Sequence, residues 1–267
     1  MFGPVNELLV IGFALLLLLC IAFSRNVTRF GIPVLVVFIF AGMFMGSDGL
    51  GGIEFTNAAD ASHIGDFTLG FILFSGGLAT SWKSIKGVFA PGLALSTVGV
   101  LLSAFFASLF LLIPAESPGF LYTLLVGAIV SCTDAASVFS ILRSNKLNLQ
   151  EPIIPLLEFE SASNDPAASM LTLVIIQIIV THTGGLSYFI TQFVSQFCIG
   201  ALLGFGFGYL GTEIMNRIDV NSDSLYPVCD ATLVVIVFST VKFLGGNGLL
   251  AVYITGMVMG NRSMKYK

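Results

Sequence analysis

Charge is what this sequence has least of: Asp, Glu, Lys and Arg make up 10% of its 267 residues, where a soluble domain carries roughly 25%. That scarcity excludes an ordinary water-soluble globule. The four cysteines, Cys20, Cys132, Cys198 and Cys229, lie in or beside apolar segments without CxxC spacing. They read as buried packing residues, with no disulfide or metal implied. The two histidines, His63 and His182, fall in outer loops, and neither has a second ligand at metal spacing. No P-loop, nucleophile triad or dinucleotide fingerprint is present, so neither an enzyme nor a bound cofactor is expected, and no nucleic-acid partner. The ten-residue alternating segments of a transmembrane β-barrel are absent too. Ahead of the first apolar run, Leu8 to Phe23, the only charge is Glu7. Without a basic n-region that run is a true first span, not a cleaved signal.

What is there is apolar sequence, 56% of the chain, in runs near the ~20 residues that cross a bilayer as a helix. The fold class is therefore an all-α polytopic membrane protein. Nine spans are expected, at 5–23, 30–47, 66–81, 88–113, 120–142, 153–181, 186–211, 225–243 and 247–261. Arg25 and Arg29 follow the first span, Lys83 and Lys86 the third, and Arg143 and Lys146 the fifth. Arg217 follows the seventh, and Arg262, Lys265 and Lys267 the ninth. Every Lys and Arg except Lys242 thus shares one face, which the positive-inside rule makes cytoplasmic, with the N-terminus outside.

Against that background the stretch 127–170 stands out. It places Asp134, Glu158, Glu160 and Asp165 in segments that would span the membrane. A carboxylate at the bilayer centre costs at least ~2.5–3.5 kcal/mol, so such residues mark ion or proton paths. Asp134 follows Ser131, Cys132 and Thr133. Glu158, Ser161 and Asp165 fall at i, i+3 and i+7, one helical face. Glu160 and Asn164 stand at i, i+4 and are expected to hydrogen-bond, fixing Asn164 beside the site. Glu160 is also expected to have a buried basic neighbour from outside this chain. Pro166 removes a backbone N–H and kinks its helix. Two acids, two hydroxyls and a carboxamide suit a small hard cation, K⁺ or Na⁺, at Asp134, Ser161 and Asp165. Asp165 is the candidate carrier, binding proton and cation in turn. Glu158 is either part of this set or interfacial. A line of glycines, Gly200, Gly204, Gly206 and Gly208, suggests close helix contact in span seven.

A repeat adds architecture. GIPVLVVFIFAGMFMG (31–46) lies without gaps on GGNGLLAVYITGMVMG (245–260), matching Gly42, Met43, Met45 and Gly46 to Gly256, Met257, Met259 and Gly260. The two run in opposite directions across the membrane, as in the inverted repeats of secondary transporters. The counterpart of span five then falls beyond Lys267, so the chain reads as a C-terminally truncated piece of a longer transporter.

GAIVSCTDAASVFSILR (127–143) and EFESASNDPA (158–167) resemble the signature segments of the monovalent cation–proton antiporters of the bacterial NhaP type. The wider text is most similar to potassium/proton antiporters of the CvrA type. The resemblance implies a homodimer of thirteen-helix protomers in a bacterial inner membrane, with span five broken. It implies scaffold helices in 1–87 and 219–267, an ion-binding core in 88–181, and a linker helix in 182–218. It assigns coordination to Thr133, Asp134, Ser161 and Asp165, with Asn164 and Glu160 in support. The Asn-Asp order implies electroneutral exchange. A cation channel and an inactive membrane scaffold stand as alternatives, and K⁺ against Na⁺ stays open.

Overall fold

The computed structural model describes residues 11–12, 14–22, 34–54, 57–114, 118–134, 138, 152–181, 186–217 and 225–263. Their regular structure is helical: α1 (14–22), α2 (Val34–Met45), α3 (Ala58–Ala79), the short α4 (Trp82–Ile85), α5 (Phe89–Leu111), α6 (Phe120–Ile129), α7 (Ile153–Thr181), α8 (Leu186–Arg217), α9 (Tyr226–Phe243) and α10 (Gly248–Gly260). Among the described residues, α5, α7, α8 and α9 are long and apolar enough to cross a membrane. Leu18, Phe40, Phe106, Phe110, Leu202 and many other large apolar side chains point outward, as a lipid-facing surface requires. Both stretches of the repeat are helical over α2 and α10. Arg25, Arg29, Arg143, Lys146, His182, Lys265 and Lys267 lie outside the described residues.

The chain divides into two compact units. The first holds residues 1–59 and 134–150. In it α2 ends in a tight turn, where Gly51 N donates to Phe44 O and Ile53 N to Met45 O, both at 3.0 Å.

The second unit, 60–133 with 151–267, is built around α10. This helix is buried on almost every face, from Leu249 through Tyr253 to Met259. Lipid offers an apolar side chain much the same environment as protein does, so close contact and dispersion hold such helices together. Glycine provides that contact. A Cβ at Gly204 or Gly208 would come within 2.6 Å of α10 atoms, and one at Gly200 within 2.8 Å of the α10 N-cap residue Asn247. Gly206, two residues out of step, has nothing within 4 Å, so the expected four-glycine contact is made by three. On the other side, Gly77 of α3 presses on the Tyr253 carbonyl, and Gly256 and Gly260 press on Phe74 and Leu78. A second cluster joins Val100 and Ala104 of α5, Ala128 of α6, and Ala168, Leu171 and Ile175 of α7. Within α5, Leu95–Gly99 winds as a π-helix.

Three expectations are corrected. Asp60 and His63 belong to α3, not to a loop; Asn57 Oδ1 accepts from Ala59 N at 3.1 Å and stabilises the helix start. The helix of span seven, α8, runs past residue 211 to Arg217, which pairs with Glu213 one turn earlier at 2.8 Å. Opposite charges at i, i+4 extend a helix into the polar interface. Of the cysteines, Cys20 is buried, Cys229 is intermediate, and Cys132 and Cys198 are exposed. A thiol is apolar enough to face lipid as readily as protein.

Candidate functional site

α6 stops where its sequence turns from apolar to small and polar. Ser131 Oγ donates to Ala128 O at 2.8 Å, and Cys132 Sγ to Ile129 O at 3.7 Å. These side chains occupy carbonyls that a continuing helix would use. Gly127 anchors the end, since a Cβ there would lie 2.3 Å from Ala104 O of α5. Residues 132–134 then leave the helix altogether, and the rest of the expected span five, apart from Val138, lies outside the described residues.

The freed segment lies against α7. Thr133 Oγ1 donates to the two oxygens of Glu160 at 3.2 and 3.1 Å, and Ser161 Oγ donates to Thr133 O at 2.9 Å. Asn164 Nδ2 donates to Glu160 Oε1 at 2.9 Å, the i, i+4 bond anticipated from spacing, and also to Thr133 Oγ1. Both hydrogens of this amide are therefore used, while Asn164 Oδ1 is buried without a hydrogen-bond partner among the described residues. The described neighbours of Glu160 are thus neutral donors from Thr133 and Asn164. Replacing Asn164 by Leu removes both donors at a fully buried position. An apparent Tm in detergent lower by roughly 3–8 °C is expected, from a loss of ~1–3 kcal/mol, read by thermal unfolding of the purified protein.

Asp165 follows Asn164 and is half-buried, and Glu158 is exposed. Pro166 is accommodated inside a continuous helix, although its missing N–H takes the helical donor from the Ala162 carbonyl. Thr133, Glu160, Ser161 and Asn164 are thus brought together, with Asp165 next in the chain. Asp134 is exposed, belongs to the other unit, and accepts at its carbonyl from Val138 N at 3.2 Å.

One residue of this neighbourhood was not singled out from sequence. Asn247 Nδ2 donates to Pro166 O at 3.2 Å, while its Oδ1 accepts from Leu250 N at 2.8 Å. The signal was present, because Asn directly before an apolar helical run is a capping pattern. A cavity of about 520 Å³ also lies between α5, α7, α8 and α10, bounded by Phe89, Phe159, Phe205, Tyr253 and Ile254. Its walls are apolar and offer a cation few ligands.

A family model described as "Sodium/hydrogen exchanger, transmembrane" matches residues 14–267. The K(+)/H(+) antiporter NhaP2 of Shewanella oneidensis is 36% identical over 260 residues, 97% of this chain and 44% of that protein. The Na(+)/H(+) antiporter ApNhaP of Aphanothece halophytica is 28% identical over 207 residues, 71% of this chain and 36% of that protein. The chain thus spans less than half the length of these relatives. Among solved structures, the sodium proton antiporter MjNhaP1 of Methanocaldococcus jannaschii matches with a TM-score of 0.75 at 21% identity. That match covers 96% of this chain and 62% of the other, and establishes a shared fold.

Proposed function

The chain belongs to the sodium/hydrogen exchanger family, and we propose that it forms part of an antiporter exchanging a monovalent cation for H⁺. The observation that carries this reading is Asp165: a half-buried carboxylate in a long apolar helix, held between the clamped Asn164 and Pro166. A carboxylate in that setting binds a proton or a cation, and the competition between them is what couples their movements. Thr133 and Ser161 supply further oxygen ligands, and Glu160 with Asn164 keeps Thr133 in place. K⁺ is the favoured ion, because relatives such as NhaP2 carry it in their names, and Na⁺ is the second. Exchange is one for one and electroneutral. The protein sits in a bacterial inner membrane with its N-terminus outside, as a homodimer whose ion-binding core (88–181) moves against the remaining helices.

The test is proton efflux from acid-loaded everted vesicles containing the full-length product of the gene. Adding K⁺, then Na⁺, is expected to raise the internal pH, with K⁺ effective at the lower concentration. Cation flux without proton movement would indicate a channel instead. Neither flux, with the protein present in the membrane, would leave a scaffold.

A further inference from the structure

The proposed carrier carboxylate has a neighbour on each side in the chain, and the two are held differently. Asn164, before it, is fastened to Thr133 and Glu160. Pro166, after it, is fastened through its carbonyl to Asn247, at the N-terminus of α10.

Asn247 is placed with little freedom. It is 5% exposed. Its backbone N donates to Gln196 O of α8 at 3.1 Å, its own carbonyl accepts from Ala251 N at 3.1 Å, and its Oδ1 caps α10. The preceding turn passes through Gly245 at φ 78°, a left-handed conformation that favours glycine. Packing around it is equally close. A Cβ at Gly248 would meet Phe238 at 2.7 Å, one at Gly246 would meet Ile199 at 2.6 Å, and one at Gly200 would meet Asn247 O at 2.8 Å. One residue therefore joins three helices, α7 and α10 through its side chain and α8 through its backbone N, and its amide hydrogen reaches the carbonyl of Pro166, the residue after Asp165.

We infer that Asn247 is a positioning residue for the cation site, setting the location of Asp165 through the Pro166 carbonyl. The inference rests on the antiport reading and adds a site determinant from a helix that contributes no proposed ligand. Pro166 leaves α7 one hydrogen bond short at this turn, so the turn is locally soft. An external donor to the Pro166 carbonyl, in the following turn, ties this stretch to α10 and holds Asp165 in one geometry relative to its fellow ligands.

Capping and tethering are separable, because Asn247 caps with its oxygen and tethers with its nitrogen. Serine keeps a capping oxygen but is too short to reach Pro166 and has no amide donor. Asn247→Ser in the full-length protein is expected to raise the apparent KM for K⁺ about tenfold while leaving Vmax per molecule within about twofold, as loss of binding order in the ground and transition states alike predicts. A residue that merely supports folding would lower the amount of protein and leave KM unchanged. KM is independent of the amount of protein, so it remains readable even where less accumulates. Asn247→Asp, which also caps and lacks the donor, is expected to raise KM likewise. An unchanged KM in both variants would overturn the inference. Asp165→Asn run beside them separates the two levels: exchange surviving in Asp165→Asn removes the antiport reading itself, whereas exchange lost there with a wild-type KM in both Asn247 variants removes only the role of Asn247.

Discussion

Asp165→Asn is expected to abolish cation-driven proton efflux, lowering the rate by more than about 100-fold. The substitution changes almost nothing in shape. What it removes is the capacity to exist in two charge states. An amide oxygen can still contribute to a cation shell, but the group has no proton to release when a cation arrives and none to take up when it leaves. The coupling is therefore lost even where the pocket survives. The protein should remain folded, because the network fixing this part of α7 runs through Thr133, Glu160, Ser161 and Asn164. Membrane level and apparent Tm are accordingly expected to stay near those of the parent. Glu158, exposed on the same helix, is the control: Glu158→Gln should retain most of the activity. Exchange at the parental rate in Asp165→Asn would refute the carrier assignment.

Gly77→Leu is expected to prevent accumulation of the protein, costing about 4 kcal/mol or more. A Cβ at Gly77 would sit 2.3 Å from Tyr253 O and 2.9 Å from Met257 N. Both obstacles are backbone atoms of α10, so no rotamer change relieves the clash. The helices would have to separate, and Gly256 and Gly260 would lose their seats on Phe74 and Leu78 at the same time. The adjacent position tests whether bulk alone is responsible. Gly76 has nothing within 4 Å of its would-be Cβ, and Gly76→Leu should accumulate normally. Membrane abundance measured by immunoblot would decide, and equal abundance of the two variants would refute the packing argument.

The sequence made some of this legible and hid the rest, for physical reasons. Local relations were readable. The Glu160–Asn164 bond follows from helical spacing, and the end of α6 follows from the run Ser131-Cys132-Thr133. Glycines at every fourth position announced a close helix contact, but the sequence did not show that Gly206 would turn away from it. Bonds between distant positions were not readable. Thr133 and Asn164 are 31 residues apart and Pro166 and Asn247 are 81 apart, and no local periodicity encodes such meetings. Cysteine exposure was misjudged because, in a membrane, an apolar residue gains little by turning inward.

The wide turn in α5 bears on where this span tolerates insertions and deletions. Ser96, Val100, Ala104 and Ser108 are all buried, a stripe repeating every four residues, where an α-helix repeats every 3.6. The π turn at Leu95–Gly99 absorbs part of the difference, since it holds one residue more than the α turn it replaces. Gly92 can then meet Phe159 of α7 while Ala104 meets Gly127 of α6 along the same helix. Removing a single residue from the α-helical stretch after that turn, ahead of Ala104, would rotate everything after it by about 100°. Ala104 would swing away from Gly127, and Ser108 away from its 2.9 Å bond with Thr123. The length of this span is therefore fixed to the residue, so that substitutions are tolerated here far more readily than a one-codon change in frame.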